Sequence, residues 1–274
     1  MTARPTSAVR RRIPCCADSA IEVELSWSGL TDVGRRREVN QDSFITAPPI
    51  FAVADGMGGH AGGEIASAAV TNRLSELASS GEISEPRFTA ALQTAIWDMA
   101  RQTSDADAGT GTTVTGFYLE SDEGHPIWKV FNIGDSRVYQ YFKGALTQIT
   151  VDHSVVQHLI DTGQITAEEA EVHPHANVIT RAVGLGDDPH PDFSMLALIP
   201  GQRLLVCSDG LTKELTETGI QHFLATADTA EAAAAQLMQH AIDNAGRDNI
   251  TVVVVDVHAV GDARETQPQG KETP

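Results

Sequence analysis

The stretch Ile127-Trp128-Lys129-Val130-Phe131-Asn132-Ile133-Gly134-Asp135-Ser136-Arg137-Val138-Tyr139-Gln140-Tyr141-Phe142 decides the fold class. Two runs rich in β-branched and aromatic residues flank Gly134-Asp135, and Lys143-Gly144 punctuates the second. Runs joined by such tight turns predict antiparallel hairpins, because a parallel crossover needs a dozen or more residues. Similar runs stand at residues 21–27, 50–54, 112–119, 203–207 and 250–257. Helical spacing appears in two apolar stripes, Ile65-Ala69-Val70-Leu74-Leu77 and Phe88-Leu92-Ile96-Met99. Thr166 with Glu169 reads as a capping box opening a short helix, and Asp228 with Glu231 resembles one before the alanine-rich run to about Asn244. Helices and adjacent antiparallel strands in comparable amounts make the chain α+β.

Outside these elements the sequence is polar at both ends. Residues 1–20 and 261–274 lack periodicity and are expected to be disordered tails around one domain over 21–260. With 274 residues, 41% hydrophobic and 20% charged, the chain is no disulfide miniprotein, collagen or disordered polymer. Its net charge is −18, and four of its 19 basic residues (Arg4, Arg10, Arg11 and Arg12) fall in the first 12 positions. So acidic a body should repel nucleic acid and acidic membrane surfaces. Cys15, Cys16 and Cys207 form neither a disulfide framework nor a zinc spacing. No run approaches a membrane span, and the arginines at 10–12 lead into no apolar segment. The expectation is a soluble, monomeric cytoplasmic protein that binds no nucleic acid and no membrane.

Some of the acid is patterned. Asp55 ends the run 51–54, Asp135 follows Ile133, Asp209 follows the run 204–208, and Asp248 precedes the strand at 250. Each alone is an ordinary turn former. Together, carboxylates at strand ends can converge on one edge of a sheet, where they repel unless cations neutralise them. Ligation by oxygen alone suits Mg²⁺ or Mn²⁺. Gly56 lets the backbone approach closely, which makes its carbonyl a further candidate ligand. The glycine-rich loop 56–63 lacks the Gly-Lys-Ser/Thr of a nucleotide P-loop, and His60 within it is the histidine beside a candidate metal carboxylate. Arg35-Arg36-Arg37 is either a solvated turn or the source of a phosphate clamp.

These residues carry a resemblance. The segments Arg37-x-x-Asn40-Gln41-Asp42-Ser43, Asp55-Gly56-Met57-Gly58-Gly59-His60, Gly109-Thr110-Gly111-Thr112-Thr113, Asn132-Ile133-Gly134-Asp135-Ser136-Arg137, Asp152-His153-Ser154, Ser208-Asp209-Gly210-Leu211 and Gly246-Arg247-Asp248-Asn249-Ile250-Thr251 occur in this order. The sequence resembles the bacterial metal-dependent protein phosphatases of the protein phosphatase 2C family over about residues 25–257. The resemblance implies a four-layer α-β-β-α sandwich with two central antiparallel sheets. It implies hydrolysis of phosphoserine and phosphothreonine by a metal-activated water, opposite Ser/Thr kinases and on their phosphorylated protein substrates. It implies two core Mn²⁺ or Mg²⁺ ions and a third: Asp55 bridging the pair with the Gly56 carbonyl, Asp209 and Asp248 completing it, Asp135 on the third, and Asp42 acting through water. Arg37 would hold the phosphate and His60 would be the proton donor, since Met57 occupies the position where animal members have histidine. Residues 153–190 would form a mobile flap bearing on substrate choice. The competing readings are a catalytically dead phosphoprotein-binding relative, disfavoured because Asp55, Asp209 and Asp248 are all kept, and a small-molecule phosphatase.

Overall fold

A computed structural model describes residues 9–15, 21–59, 61–103, 109–186 and 188–262. The layers follow from strands that are apolar on both faces. In β4 (Ile50–Met57), Ile50, Ala52 and Ala54 pack to one side, and Phe51 and Val53 to the other. β11 (Arg203–Cys207) divides in the same way, Leu204 and Val206 against Leu205 and Cys207. In β12 (Ile250–Asp262), Val253 and Val255 oppose Val252 and Val254. Side chains alternate along a strand, so each of these strands needs an apolar layer on both sides.

The chain supplies those layers in two antiparallel sheets. One has the order β1 (Arg11–Pro14), β2 (Ile21–Asp32), β12, β11, β8 (Arg137–Phe142), β9 (Ala145–Gln148). The other runs β10 (Asp192–Ala197), β7 (His125–Ile133), β6 (Val114–Asp122), β4, β3 (Asp42–Ala47), with β5 (Gly111–Thr112) against the end of β4. Between them lies an aromatic core in which Phe51 sits 5.5 Å from Trp27 and 5.7 Å from Phe117, itself 4.8 Å from Trp128. Helices α1 (Gly62–Ser80) and α2 (Glu85–Gln102) cover the β4 sheet. Helices α6 (Glu217–Thr226) and α7 (Ala230–Asn244), with the single turn α5 (Asp209–Thr212), cover the β11 sheet. The short α3 (Val155–Asp161) and α4 (Ala167–Glu171) stand in the expected flap. The α-β-β-α order is the expected one. Among the described residues no helix is long and apolar enough to cross a membrane.

Three expectations are corrected. Gly134-Asp135 is not a hairpin turn: β7 and β8 belong to different sheets, and the turn passes from one to the other. Val130 and Val138 therefore meet the inter-sheet core from opposite sides, while Lys143-Gly144 does join a hairpin, β8 to β9. The tail expected over 1–20 gives way at residue 11, where β1 pairs with β2 and buries Ile13 in the inter-sheet core. At the other end β12 runs to Asp262; residues 1–8, 16–20 and 263–274 lie outside the described residues. The cap of α7 is Thr229, whose hydroxyl accepts from the Ala232 N–H at 3.1 Å, one residue after Asp228. The Thr166–Glu169 capping box is present as expected.

Candidate functional site

The strand ends that carry the acidic residues meet at one end of the sandwich. Asp55, Asp135, Asp209 and Asp248 line a single pocket together with Arg37. Asp42 is buried and stands directly opposite Asp55 in the β3–β4 register, a cross-strand pairing of like charges that costs stability unless something positive intervenes.

The sequence segments that accompany these residues act as their fixtures. The Asp55 N–H donates to Thr113 Oγ1 at 2.9 Å, and its carbonyl accepts from the Thr113 N–H at 2.9 Å and the Thr112 hydroxyl at 3.0 Å. Thr113 Oγ1 in turn lies 3.0 Å from Ser136 Oγ, beside Asp135. The Gly134 turn is held from outside: its carbonyl accepts from the His153 N–H at 2.8 Å, and its N–H donates to His153 Nδ1 at 3.1 Å. Asn249 Oδ1 accepts from the Gln41 N–H, and its amide donates to the Val33 and Val39 carbonyls, fastening the Arg37 loop to the start of β12. Two glycines are required by close approach. A Cβ at Gly56 would fall 2.1 Å from the Gly63 carbonyl oxygen, and one at Gly210 would fall 1.9 Å from that of Asn249.

The electrostatics are those of crowded, desolvated acid. Burial lifts Asp42 to about 6, although Thr251 and Ser208 both donate to its Oδ2. Burial, then Asp209 and Asp152, lift Asp135 to about 7. Asp55 rises well above its usual range through burial and then its carboxylate neighbours, Asp42 foremost. Asp248 goes the other way: burial raises it, but Lys213 and Arg37 outweigh burial and hold it low. Arg37 grips Asp248 with Nε at 2.8 Å from Oδ1 and Nη2 at 3.0 Å from Oδ2. Lys213 Nζ contacts Asp209 Oδ2 and lies 3.0 Å from Asp248 Oδ2.

Those cations shape the carboxylates. Among the described residues no three acidic, histidine or cysteine side chains converge as a ready ligand set, and Asp209 and Asp248 are turned onto Lys213 and Arg37. Two oxygens nevertheless stay unclaimed: Asp42 Oδ1 and Asp209 Oδ1 are buried without a hydrogen-bond partner among the described residues. A buried carboxylate oxygen with nothing to accept from is costly. The donor set therefore fits a hard divalent cation, with Asp209 offering the free oxygen.

The structure thus gathers Arg37, Asp55, Gly56, Asp135, Asp209 and Asp248 at one pocket, with Asp42 buried alongside Asp55 in the sheet. Met57 lines the pocket as well, while His60 lies outside the described residues. From the expected flap, Asn177 and Ile179 reach the pocket wall. Sequence reasoning missed Lys213, although its spacing of four from Asp209, on the same helical face, was a usable signal.

A family model described as Protein phosphatase 2C matches residues 34–245. Over 257 residues the chain is 37% identical to serine/threonine protein phosphatase PstP of Mycobacterium tuberculosis, covering 90% of this chain and 48% of that protein. It thus spans about half the length of that relative. It is 33% identical over 239 residues to serine/threonine phosphatase stp of Listeria monocytogenes, covering 82% of this chain and 93% of that one. The solved catalytic domain of PstP in complex with two manganese ions superposes with a TM-score of 0.76 at 36% identity, covering 86% of this chain and 99% of that domain.

Proposed function

Because the chain belongs to the protein phosphatase 2C family, we propose that it hydrolyses phosphoserine and phosphothreonine in proteins at a divalent-metal centre in the Asp55–Asp209–Asp248 pocket. The observation that carries this reading is the buried Oδ1 of Asp209, unpartnered in a pocket that it shares with three other aspartates. Asp55 and the Gly56 carbonyl, with Asp209 and Asp248, would hold two Mn²⁺ or Mg²⁺ ions, and Asp135 with Asp209 a third. Such ions supply a water of lowered pKa and neutralise charge on the transferring phosphoryl group.

The remaining roles fall to the chain's own groups. Arg37, 52% exposed at the pocket, presents a planar fork suited to two phosphate oxygens once it leaves Asp248. Asp42 Oδ1 is free to accept a hydrogen bond from the attacking water and so orient it. His60 is the candidate to protonate the leaving serine or threonine oxygen. Asn177 and Ile179 give the flap a route to substrate choice. The substrates are proposed to be cytoplasmic phosphoproteins, including Ser/Thr kinases and their targets. The catalytic domain is taken to run from β1 to the end of β12.

The test is phosphate release from phosphoserine, phosphothreonine and phosphotyrosine peptides with Mn²⁺ and with chelator. The first two should be hydrolysed in Mn²⁺ and spared in chelator; undiminished turnover without metal overturns the reading. Asp135 has its own test. Because its turn crosses between the sheets and faces the pocket, Asp135→Ala should lower kcat roughly 10–100-fold, keep two bound Mn²⁺ by calorimetry, and melt within a few degrees of the parent. Near-parental kcat would leave Asp135 as a turn residue.

A further inference from the structure

Lys213 has no place in the reaction as described, yet it occupies the middle of the site. It closes the turn α5, four residues after Asp209, so its side chain folds back over that carboxylate. Its Nζ contacts Asp209 Oδ2 and donates to Asp248 Oδ2 at 3.0 Å. The side chain is only 28% exposed, so the ammonium is held in the pocket rather than trailing into water. One positive group thus bridges the carboxylate that follows β11 and the carboxylate that precedes β12. These are the two residues proposed above to share an ion.

A crowded set of carboxylates needs positive charge, and here the chain provides some of it. A divalent ion bound by both Asp209 and Asp248 requires the Asp248 oxygen now on Lys213 and Arg37, and relief of the contact on Asp209 Oδ2. The unpartnered Asp209 Oδ1 shows that the ammonium satisfies this cluster incompletely, so a doubly charged ion retains an advantage.

We infer that Lys213 is a tethered counter-cation that competes with the divalent ion for Asp209 and Asp248, weakening metal binding while steadying the ion-free fold. The inference rests on the metal-centre reading. If the bridged arrangement holds nine-tenths of ion-free molecules, the apparent Kd for the ion is about tenfold weaker than the intrinsic one.

The full chain, stripped with EDTA and dialysed, is titrated with Mn²⁺ by isothermal calorimetry beside Lys213→Met, Lys213→Gln and Lys213→Arg, and each is melted with and without Mn²⁺. The methionine and glutamine variants should bind Mn²⁺ about tenfold more tightly, melt below the parent in EDTA, and rejoin it in saturating Mn²⁺. Lys213→Arg, which keeps the charge, should stay near the parent. Glutamine retains a neutral donor, so the comparison survives a folding defect in the methionine variant. Equal or weaker Mn²⁺ affinity in both neutral variants overturns the inference and leaves Lys213 a structural bridge. A parent that takes up no Mn²⁺ overturns the metal-centre reading together with it, so the two failures are distinguishable.

Discussion

Asp209→Asn should leave a folded protein that hydrolyses a phosphothreonine peptide about a thousandfold more slowly at saturating Mn²⁺, the size expected when several kcal/mol of transition-state charge stabilisation is lost. Asparagine keeps the shape of the side chain in the first turn of α5, so no cavity opens beside Gly210 and Leu211. What changes is charge. One carboxylate leaves a cluster in which Asp248 repels it and in which its own charge raises Asp55 and Asp135, which offsets the loss of its contact with Lys213, and Lys213 keeps Asp248. Stability should therefore stay within a few degrees of the parent while turnover and Mn²⁺ affinity fall together. Activity within tenfold of the parent would remove Asp209 from the metal centre. A collapse in Tm would show instead that the residue holds α5 in place.

The contrast between what the sequence showed and what it concealed has a common physical cause. The runs at 203–207 and 250–257 were legible because strands buried on both faces are apolar at every position, a signal that needs no partner to be read. The strand Asp42–Ala47 was missed because it opens on two polar residues, Asp42 bonded to Ser208 and Ser43 to Ser67 of α1, which breaks its alternation. Edge strands Arg11–Pro14 and Asp192–Ala197 are largely exposed and carry no period. Gly134-Asp135 reads locally as a hairpin turn; that β7 joins β6 and β10 while β8 joins β11 is decided by pairings far away in sequence. The site divides along the same line. Aspartates at strand ends could be picked out one by one, but the Lys213 contact with Asp248 spans 35 residues and exists only once β11 and β12 are side by side.

That adjacency is pinned at the far end of the β11–β12 pairing, where Asp256→Ala should produce a large loss of stability. Arg203 and Asp256 face each other in the β11–β12 register, both buried. Nε lies 2.6 Å from Oδ1 and Nη2 2.9 Å from Oδ2, a two-pronged pair. Removing one partner of a buried pair strands the other charge, at a cost of about 3–5 kcal/mol. For a domain of this size that lowers Tm by roughly 6–20 °C. Replacing both partners, as Arg203→Met with Asp256→Leu, removes the stranded charge and should recover part of the loss. It should not recover all of it, because Arg203 Nη1 also donates to the Leu224 and Ala227 carbonyls at 2.7 and 2.8 Å, satisfying the last turn of α6. Below its melting point Asp256→Ala should still turn over phosphothreonine peptide at near-parental kcat. The pairs Leu204↔Val255 through Cys207↔Val252 remain, and a slip of one residue would exchange the two buried faces of either strand. A loss of kcat that outruns the loss of folded protein would show that the ion pair, rather than those apolar faces, keeps Asp209 and Asp248 in register.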